Sequence, residues 1–351
     1  MSVVVIERAD RSKSASWAGA GMLAPVTEAH YGEDSLLRLN LESSSLYPAF
    51  VEELEQESGL GTGYRSSGTV IVARDTDDNA ALDRTLAFQQ RLGLDVERLT
   101  SRECRRLEPA LSPRVRGGIL VSGDHQVDNR ALLEAAVVAG SKAGVERIEG
   151  SARVLHDDER AVGVSIGGDR IAAGKVLIAA GCWSGAIEGV PQEVLPPVRP
   201  VKGQLIHLRG PAELRLAQRN IRGLDVYVVP RADGRVVVGA TVEEMGFDDR
   251  VTGGGVHDLL RYAYEILPGV VELELVEAVA GLRPGTPDNA PVLGETSLPG
   301  LYVATGHYRN GILLTPVTAL LMSMLLATDQ VPDAMEPFDP QRFDRSVESA
   351  T

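Results

Sequence analysis

The sequence predicts an α/β fold in which a parallel-sheet nucleotide-binding domain, assembled from separated segments, carries an inserted, mostly antiparallel α+β domain. Three observations lead there. Apolar runs bordered by small residues stand at the start, middle and end of the chain: Val3-Val4-Val5-Ile6, Val176-Leu177-Ile178-Ala179-Ala180 and Leu301-Tyr302-Val303-Ala304-Thr305. Such runs mark strands buried on both faces of a parallel sheet. Short strands of antiparallel texture lie between them, and 351 residues exceed the size at which one core usually stops growing. The boundaries drawn on this pattern are 1–60, 125–195 and 285–351 for the nucleotide domain and 61–124 and 196–284 for the insertion.

Element by element, the opening run ends in Glu7, and Ala18-Gly19-Ala20-Gly21-Met22 then offers small residues where a backbone can approach a ligand closely. A long helix starts at Asp34, with Leu36, Leu37, Leu39, Leu41, Leu46, Phe50, Val51 and Leu54 as its apolar residues, and Gly59 stops it. A second helix is expected near residues 78–92 and a third after Asp128, which caps it, up to Gly144. Strands bounded by turn residues are expected at residues 68–73, 118–121, 203–208, 226–230 and 235–239, the last two joined as a hairpin through Asp233-Gly234. A meander at 154–166 feeds the buried run at 176–180, and a final helix is expected from near Gly311.

Composition excludes several classes of function. With 35 basic and 49 acidic side chains the net charge is −14, and aromatic residues make up 4%, so the chain lacks both a positive surface and the stacking platforms of a nucleic-acid binder. Two cysteines, Cys104 and Cys182, make neither a disulfide framework nor a four-ligand zinc site, and the six histidines lack metal-type spacing. No metal is therefore expected, and a reducing cytoplasm is the expected compartment. The first ten residues lack an export signal's basic start and long apolar core. The apolar run 312–327 falls short of the ~20 residues that cross a bilayer and contains Pro316, so a buried helix is expected there.

Four groups of residues carry candidate chemistry. Glu7, at a strand end, suits the ribose hydroxyls of a dinucleotide, although a surface carboxylate is the plainer reading. No G-x-G-x-x-G lies upstream of it or between a strand and a helix downstream. Arg283, in Gly281-Leu282-Arg283-Pro284-Gly285-Thr286-Pro287-Asp288, is held by a rigid turn and suits a two-pronged grip on a carboxylate; a structural pair with Asp288 is the alternative. Gly306-His307-Tyr308-Arg309-Asn310-Gly311-Ile312-Leu313 reads as a helix start whose N–H groups suit an anion or an electron-rich ring. Tyr227 either presents a phenol to a substrate or fills the core. His30, His207 and His307 read as structural, and no Ser-His-Asp order or nucleophile elbow is present.

Together with Ala179-Ala180-Gly181-Cys182-Trp183-Ser184, Pro200-Val201-Lys202-Gly203-Gln204, Tyr227-Val228-Val229-Pro230-Arg231 and Gly239-Ala240-Thr241, these segments resemble the flavin-dependent D-amino-acid oxidase superfamily, most closely its glycine oxidase branch, which serves thiamine biosynthesis. The resemblance implies a Rossmann-like FAD-binding domain, here without its first strand and Gly-rich loop, and an inserted substrate domain. It implies that Glu7 and Arg8 hold the adenosine end of FAD, that Val154 touches the adenine side, and that Ala15, Ser16, Ala20, Gly21 and Met22 line the flavin. His307, Tyr308, Arg309, Asn310, Gly311, Ile312 and Leu313 would close over the ring. Arg283, oriented with Tyr227 and joined by Arg309, would bind the substrate, while Asp225 replaces a histidine that some relatives carry two residues before the tyrosine.

The implied reaction is oxidative deamination of glycine, with sarcosine or small D-amino acids as further substrates. Its products are the imine or glyoxylate, ammonia and hydrogen peroxide, and it would feed thiazole formation. Oxygen is the co-substrate, and a homo-oligomer is the expected assembly. A sarcosine-oxidase-like amine oxidase is the rival within this class; a truncated, non-catalytic remnant that does not hold FAD is the rival outside it. On the truncated reading, about 30 upstream residues, the size of a strand, turn and helix, would restore tight flavin binding.

Overall fold

The computed structural model describes every residue except 1, 9, 11, 13, 158, 212–214 and 344–351. Its largest element is an eight-stranded mixed sheet. In spatial order the strands are Glu274–Gly285, Arg199–Arg209, Arg235–Gly239, Tyr227–Pro230, Asn220–Arg222, Thr69–Ala73, Gly117–Val121 and Glu97–Thr100. Only Asn220–Arg222 and Thr69–Ala73 run parallel; the other neighbours are antiparallel.

Period-two alternation gives this sheet two different faces. Ile206, Leu208, Val228, Val236 and Val238 point to one side, where Leu259, Ala263 and Ile266 of the helix Gly253–Ile266 cover them. Leu205, Tyr227, Val229 and Val237 point to the other side and pack with Ala20 and Met22. Sheet register therefore decides which side chains face the Ala18–Met22 segment.

The helix Asp34–Ser58 packs on Asn129–Lys142, whose first N–H groups are capped by Asp128, and on Thr315–Thr328. Leu36, Leu39, Leu321 and Leu325 share one core with Tyr302, while Tyr47, Val51, Val127 and Leu132 form the next. No described helix is long and apolar enough to cross a membrane.

The α/β class stands, with four corrections. The parallel pairs of the expected nucleotide domain fall in two separate small sheets: Val4–Glu7 beside Glu146–Glu149, and Val176–Ile178 beside Leu301–Thr305, which Val292–Glu295 extends antiparallel. Burial on both faces holds for Leu301, Tyr302 and Val303 but not for the middle run, where Leu177 is 40% exposed, nor for the opening run, where Val3, Val4 and Val5 are 44%, 37% and 37% exposed. That strand has one neighbour among the described residues, too little to cover it. The last helix begins at Thr315, and residues 311–314 before it form hydrogen-bonded turns in which the Leu314 N–H donates to Asn310 O at 2.8 Å. Arg283 lies within the long strand Glu274–Gly285 and not in a turn; Pro284 is tolerated because this strand is at the sheet edge.

Candidate active site

A cavity of about 1090 Å³ opens between the large sheet, the Ala18–Met22 segment and the small parallel pairs. Arg283 and Tyr227 stand on its wall, positioned by glycines on neighbouring strands. Tyr227 is directly opposite Gly239, and a Cβ there would come within 2.5 Å of the Tyr227 hydroxyl. A Cβ at Gly203 would lie 2.3 Å from Arg283 Nη1. Both side chains thus lie flat across bare backbone, and Arg283 Nη1 donates to Lys202 O at 3.3 Å and to Thr241 O at 3.2 Å.

Among the described residues no carboxylate is within ion-pair distance of Arg283. Asp288, its alternative partner, is taken by Arg342 at 2.8 Å. Burial raises the Tyr227 phenol above its ordinary value against the opposing pull of Arg283, so the hydroxyl stays protonated and can donate.

A second cluster on the same wall was not legible as a motif. Glu28 is buried, ion-paired to Arg222, and 3.4 Å from Arg309 Nε, while Arg309 Nη2 is 3.5 Å from Glu33. Burial by itself would raise the Glu28 carboxyl, but Arg222, helped by His30 and Arg309, holds it well below the usual range. Glu28 stands in an irregular loop, and only the folded chain brings the two arginines to it.

Ala15, Ser16, Ala20, Gly21 and Met22, expected to line the flavin, border the cavity. Gly21 has φ +68°, and a Cβ there would lie 2.0 Å from Val127 O. Beneath this segment the buried Arg231 donates to Ala20 O at 2.8 Å and to Val127 O at 2.7 Å, a role that its place in the motif did not disclose.

His307, Tyr308, Arg309, Asn310, Gly311 and Ile312 border the cavity as well. Tyr308 adopts φ +46°, its N–H donating to Pro284 O at 3.1 Å, and the Asn310 N–H donates to His307 O at 2.9 Å. The N–H groups of Gly311, Ile312 and Leu313 have no acceptor among the described residues. His307 shares a hydrogen bond of 3.0 Å with Thr318, and burial lowers it to about 4, so it is neutral and serves the structure.

Glu7 and Arg8 form another part of the wall, Glu7 paired with Arg147 and Arg8 lying 4.0 Å over the Trp183 ring. The Val154 side chain is 4% exposed and packs with Val176 and Val303, while Ala152 and Arg153 border the cavity. The Leu313 side chain is likewise core, packed with Leu23, Tyr47 and Leu132.

Comparison with known proteins fits this geometry. Residues 1–325 match the family of FAD dependent oxidoreductases. The chain belongs to that family. It is similar to the glycine oxidase of Geobacillus kaustophilus, with 34% identity over 97% of this chain and 90% of the relative. The crystal structure of glycine oxidase from that organism superposes with a TM-score of 0.90, at 33% identity over 97% of this chain and 92% of the other. The bifunctional protein ThiO/ThiG of Synechocystis sp. is 36% identical over 98% of this chain, which spans about half (50%) of its length.

The cofactor of this oxidoreductase family member is FAD, and the cavity fits it. Its volume is large enough for a dinucleotide together with a small substrate. The unpaired N–H groups of Gly311, Ile312 and Leu313 are donors suited to the electron-rich edge of the flavin ring, and the cradle of Ala15 to Met22 leaves room for its flat face. Glu7, with Arg8, would hold the adenosine end through ribose hydroxyls.

Proposed function

We propose that this flavoenzyme oxidises glycine to the imine, which hydrolyses to glyoxylate and ammonia, with hydrogen peroxide as the reduced product of oxygen. The observation that carries this reading is Arg283: a guanidinium in the cavity wall, pinned by two carbonyls and bridged to no acid among the described residues. Its fork matches a substrate carboxylate in two parallel hydrogen bonds, and the protonated Tyr227 hydroxyl adds a donor beside it. FAD, when bound, supplies the acceptor for the hydride from the α-carbon and passes the electrons to oxygen.

The protein's share is placement. Arg283 and Tyr227 fix the carboxylate, and Ala20, Met22, Leu205 and Ile312 give the nearby wall an apolar lining that limits water around the reacting carbon. With hydride transfer to a bound cofactor, no acid–base side chain has to face the α-carbon. Sarcosine and small D-amino acids are further substrates to rank in the same assay.

Residues 61–124 and 196–284, which carry Tyr227 and Arg283, are read as the substrate unit, and the remainder as the FAD unit. The likeness to ThiO/ThiG supports a role in supplying the imine for thiazole formation in thiamine biosynthesis. The free, buried Cys104 and Cys182 are in keeping with a reducing cytoplasm.

The test is Arg283→Ala in the FAD-loaded enzyme. Loss of the buried charge pair, about 3–5 kcal/mol, should raise the glycine KM by orders of magnitude while the flavin spectrum persists. An unchanged KM would refute the carboxylate anchor.

A further inference from the structure

With no acid to hold it among the described residues, the Arg283 guanidinium is placed by two backbone carbonyls, Lys202 O and Thr241 O. These belong to different stretches of chain: Lys202 to the strand Arg199–Arg209, and Thr241 to the segment 240–252, which leads from the strand Arg235–Gly239 to the helix Gly253–Ile266. One residue ties the two. The Glu243 N–H donates to Lys202 O at 3.0 Å, the same oxygen that receives Arg283, and the Lys202 N–H donates to Glu243 O at 2.9 Å. The Glu243 carboxylate accepts from the Thr241 hydroxyl at 2.5 Å and from Gln204 Nε2 at 2.7 Å, and stands 3.5 Å from the buried Lys202 ammonium. The Thr241 hydroxyl in turn accepts from the Gln204 N–H at 2.9 Å, and Gln204 Oε1 holds the far end of the segment by accepting from the Thr252 N–H at 2.8 Å. Around this point the segment is the reverse of what apolar burial selects: Val242 and Met245 are 65% and 53% exposed, whereas the Glu243 side chain is 27% exposed and turned toward the sheet. Polar contacts therefore set its conformation.

We propose that Glu243 is the positioning residue of the carboxylate grip: by holding Thr241 to Lys202 it fixes the two carbonyls that aim the Arg283 guanidinium into the cavity. Glu243 does not border the cavity and acts through the backbone of its neighbours. A guanidinium fork meets two carboxylate oxygens at once only in one orientation, so play in either carbonyl loosens the grip. The same tie gives a role to two strings that the fold alone leaves unexplained, Pro200-Val201-Lys202-Gly203-Gln204 and Gly239-Ala240-Thr241. Gly203 clears space for the guanidinium, Lys202 and Thr241 supply its acceptors, and Gln204 joins Glu243 in closing the tie. This assignment rests on Arg283 as the carboxylate anchor, but its test does not depend on turnover.

The test uses the FAD-loaded enzyme and two ligands of nearly one shape, acetate and acetamide, of which only the first is charged. Their dissociation constants are read from perturbation of the flavin absorbance. Thr241→Val keeps the shape of the side chain and the Lys202–Glu243 pair and removes only the hydroxyl tie; it should weaken acetate by about 5-fold or more and change acetamide by less than about 2-fold. Glu243→Ala removes the whole tie and should weaken acetate by about 10-fold or more, again selectively, so it decides the matter should Thr241→Val not retain flavin. Equal weakening of both ligands would show that these residues only support the fold, and an unchanged acetate constant would show that Arg283 is aimed without them; either result overturns the proposal. A wild-type enzyme that binds acetate no better than acetamide would refute the carboxylate anchor itself, and this assignment would fall with it, whereas a selective wild type with unselective variants would overturn the Glu243 assignment alone.

Discussion

The two walls that meet at the cavity are built to different standards. The wall bearing Arg283 and Tyr227 belongs to the eight-stranded sheet, where Val229 and Val237 are 0% and 2% exposed and a facing helix packs the reverse side. The wall bearing Glu7 and Arg8 is a two-stranded parallel pair whose Val3 to Val5 remain in contact with solvent. The contrast follows from what each must do. On the proposed reading a hydride donor has to be placed to within a fraction of an ångström, a demand that the close-packed strands beneath Arg283 and Tyr227 suit. A long dinucleotide is held by many contacts spread along its length, and no single one has to be exact.

The comparison breaks if crowding the packed wall proves harmless. Gly203→Val puts atoms where the Arg283 guanidinium lies and should lower kcat/KM for glycine by about two orders of magnitude with little change in FAD affinity. Steady-state kinetics beside a flavin titration checks both halves.

A smaller effect concerns the loop that carries Glu28. Asp124 is fully buried, accepts from Val26 N–H at 3.2 Å and from the Thr27 hydroxyl, and burial lifts it from 3.8 to about 7. The protonated form is thus the one the fold prefers. Its contribution to stability is whole below pH 3.8 and is lost as the pH rises through about 7. Asp124→Asn should raise the melting temperature by a few degrees at pH 8 and by less at pH 5. A gain independent of pH, read by thermal unfolding at both values, would contradict the assignment.

The smallest effect belongs to the thin wall. Glu7 is partly exposed and its pair with Arg147 is worth little, about 0–1 kcal/mol. Glu7→Gln should weaken FAD binding by no more than about 5-fold. A loss of several hundredfold would mean that the adenosine end is as tightly specified as the substrate end.

Much of this was legible in the sequence because the informative residues sit in short strings. Ala18 to Gly21 are small at four successive positions, and Arg283 and Tyr227 each stand next to a proline or a strand run that flags them. The fold class followed from β-branched runs whose length and spacing survive in the structure. What escaped depends on closure in three dimensions. Glu28 lies in a loop with no periodicity, and Arg222 and Arg309 reach it from 194 and 281 residues away (222 − 28 and 309 − 28). The helix Gly253–Ile266 escaped because three glycines open it, hiding a start that Thr252 caps through its hydroxyl. Arg283 looked like a turn residue because Pro284 follows it, and only the edge position of its strand makes that proline acceptable.

The most direct test of the central claim is the visible spectrum of the FAD-loaded chain, recorded without oxygen before and after glycine is added. The flavin band should bleach on glycine and return when air is admitted, with one hydrogen peroxide formed per glycine consumed. A protein-bound flavin band that glycine leaves unchanged would contradict the assignment of this cavity to glycine oxidation.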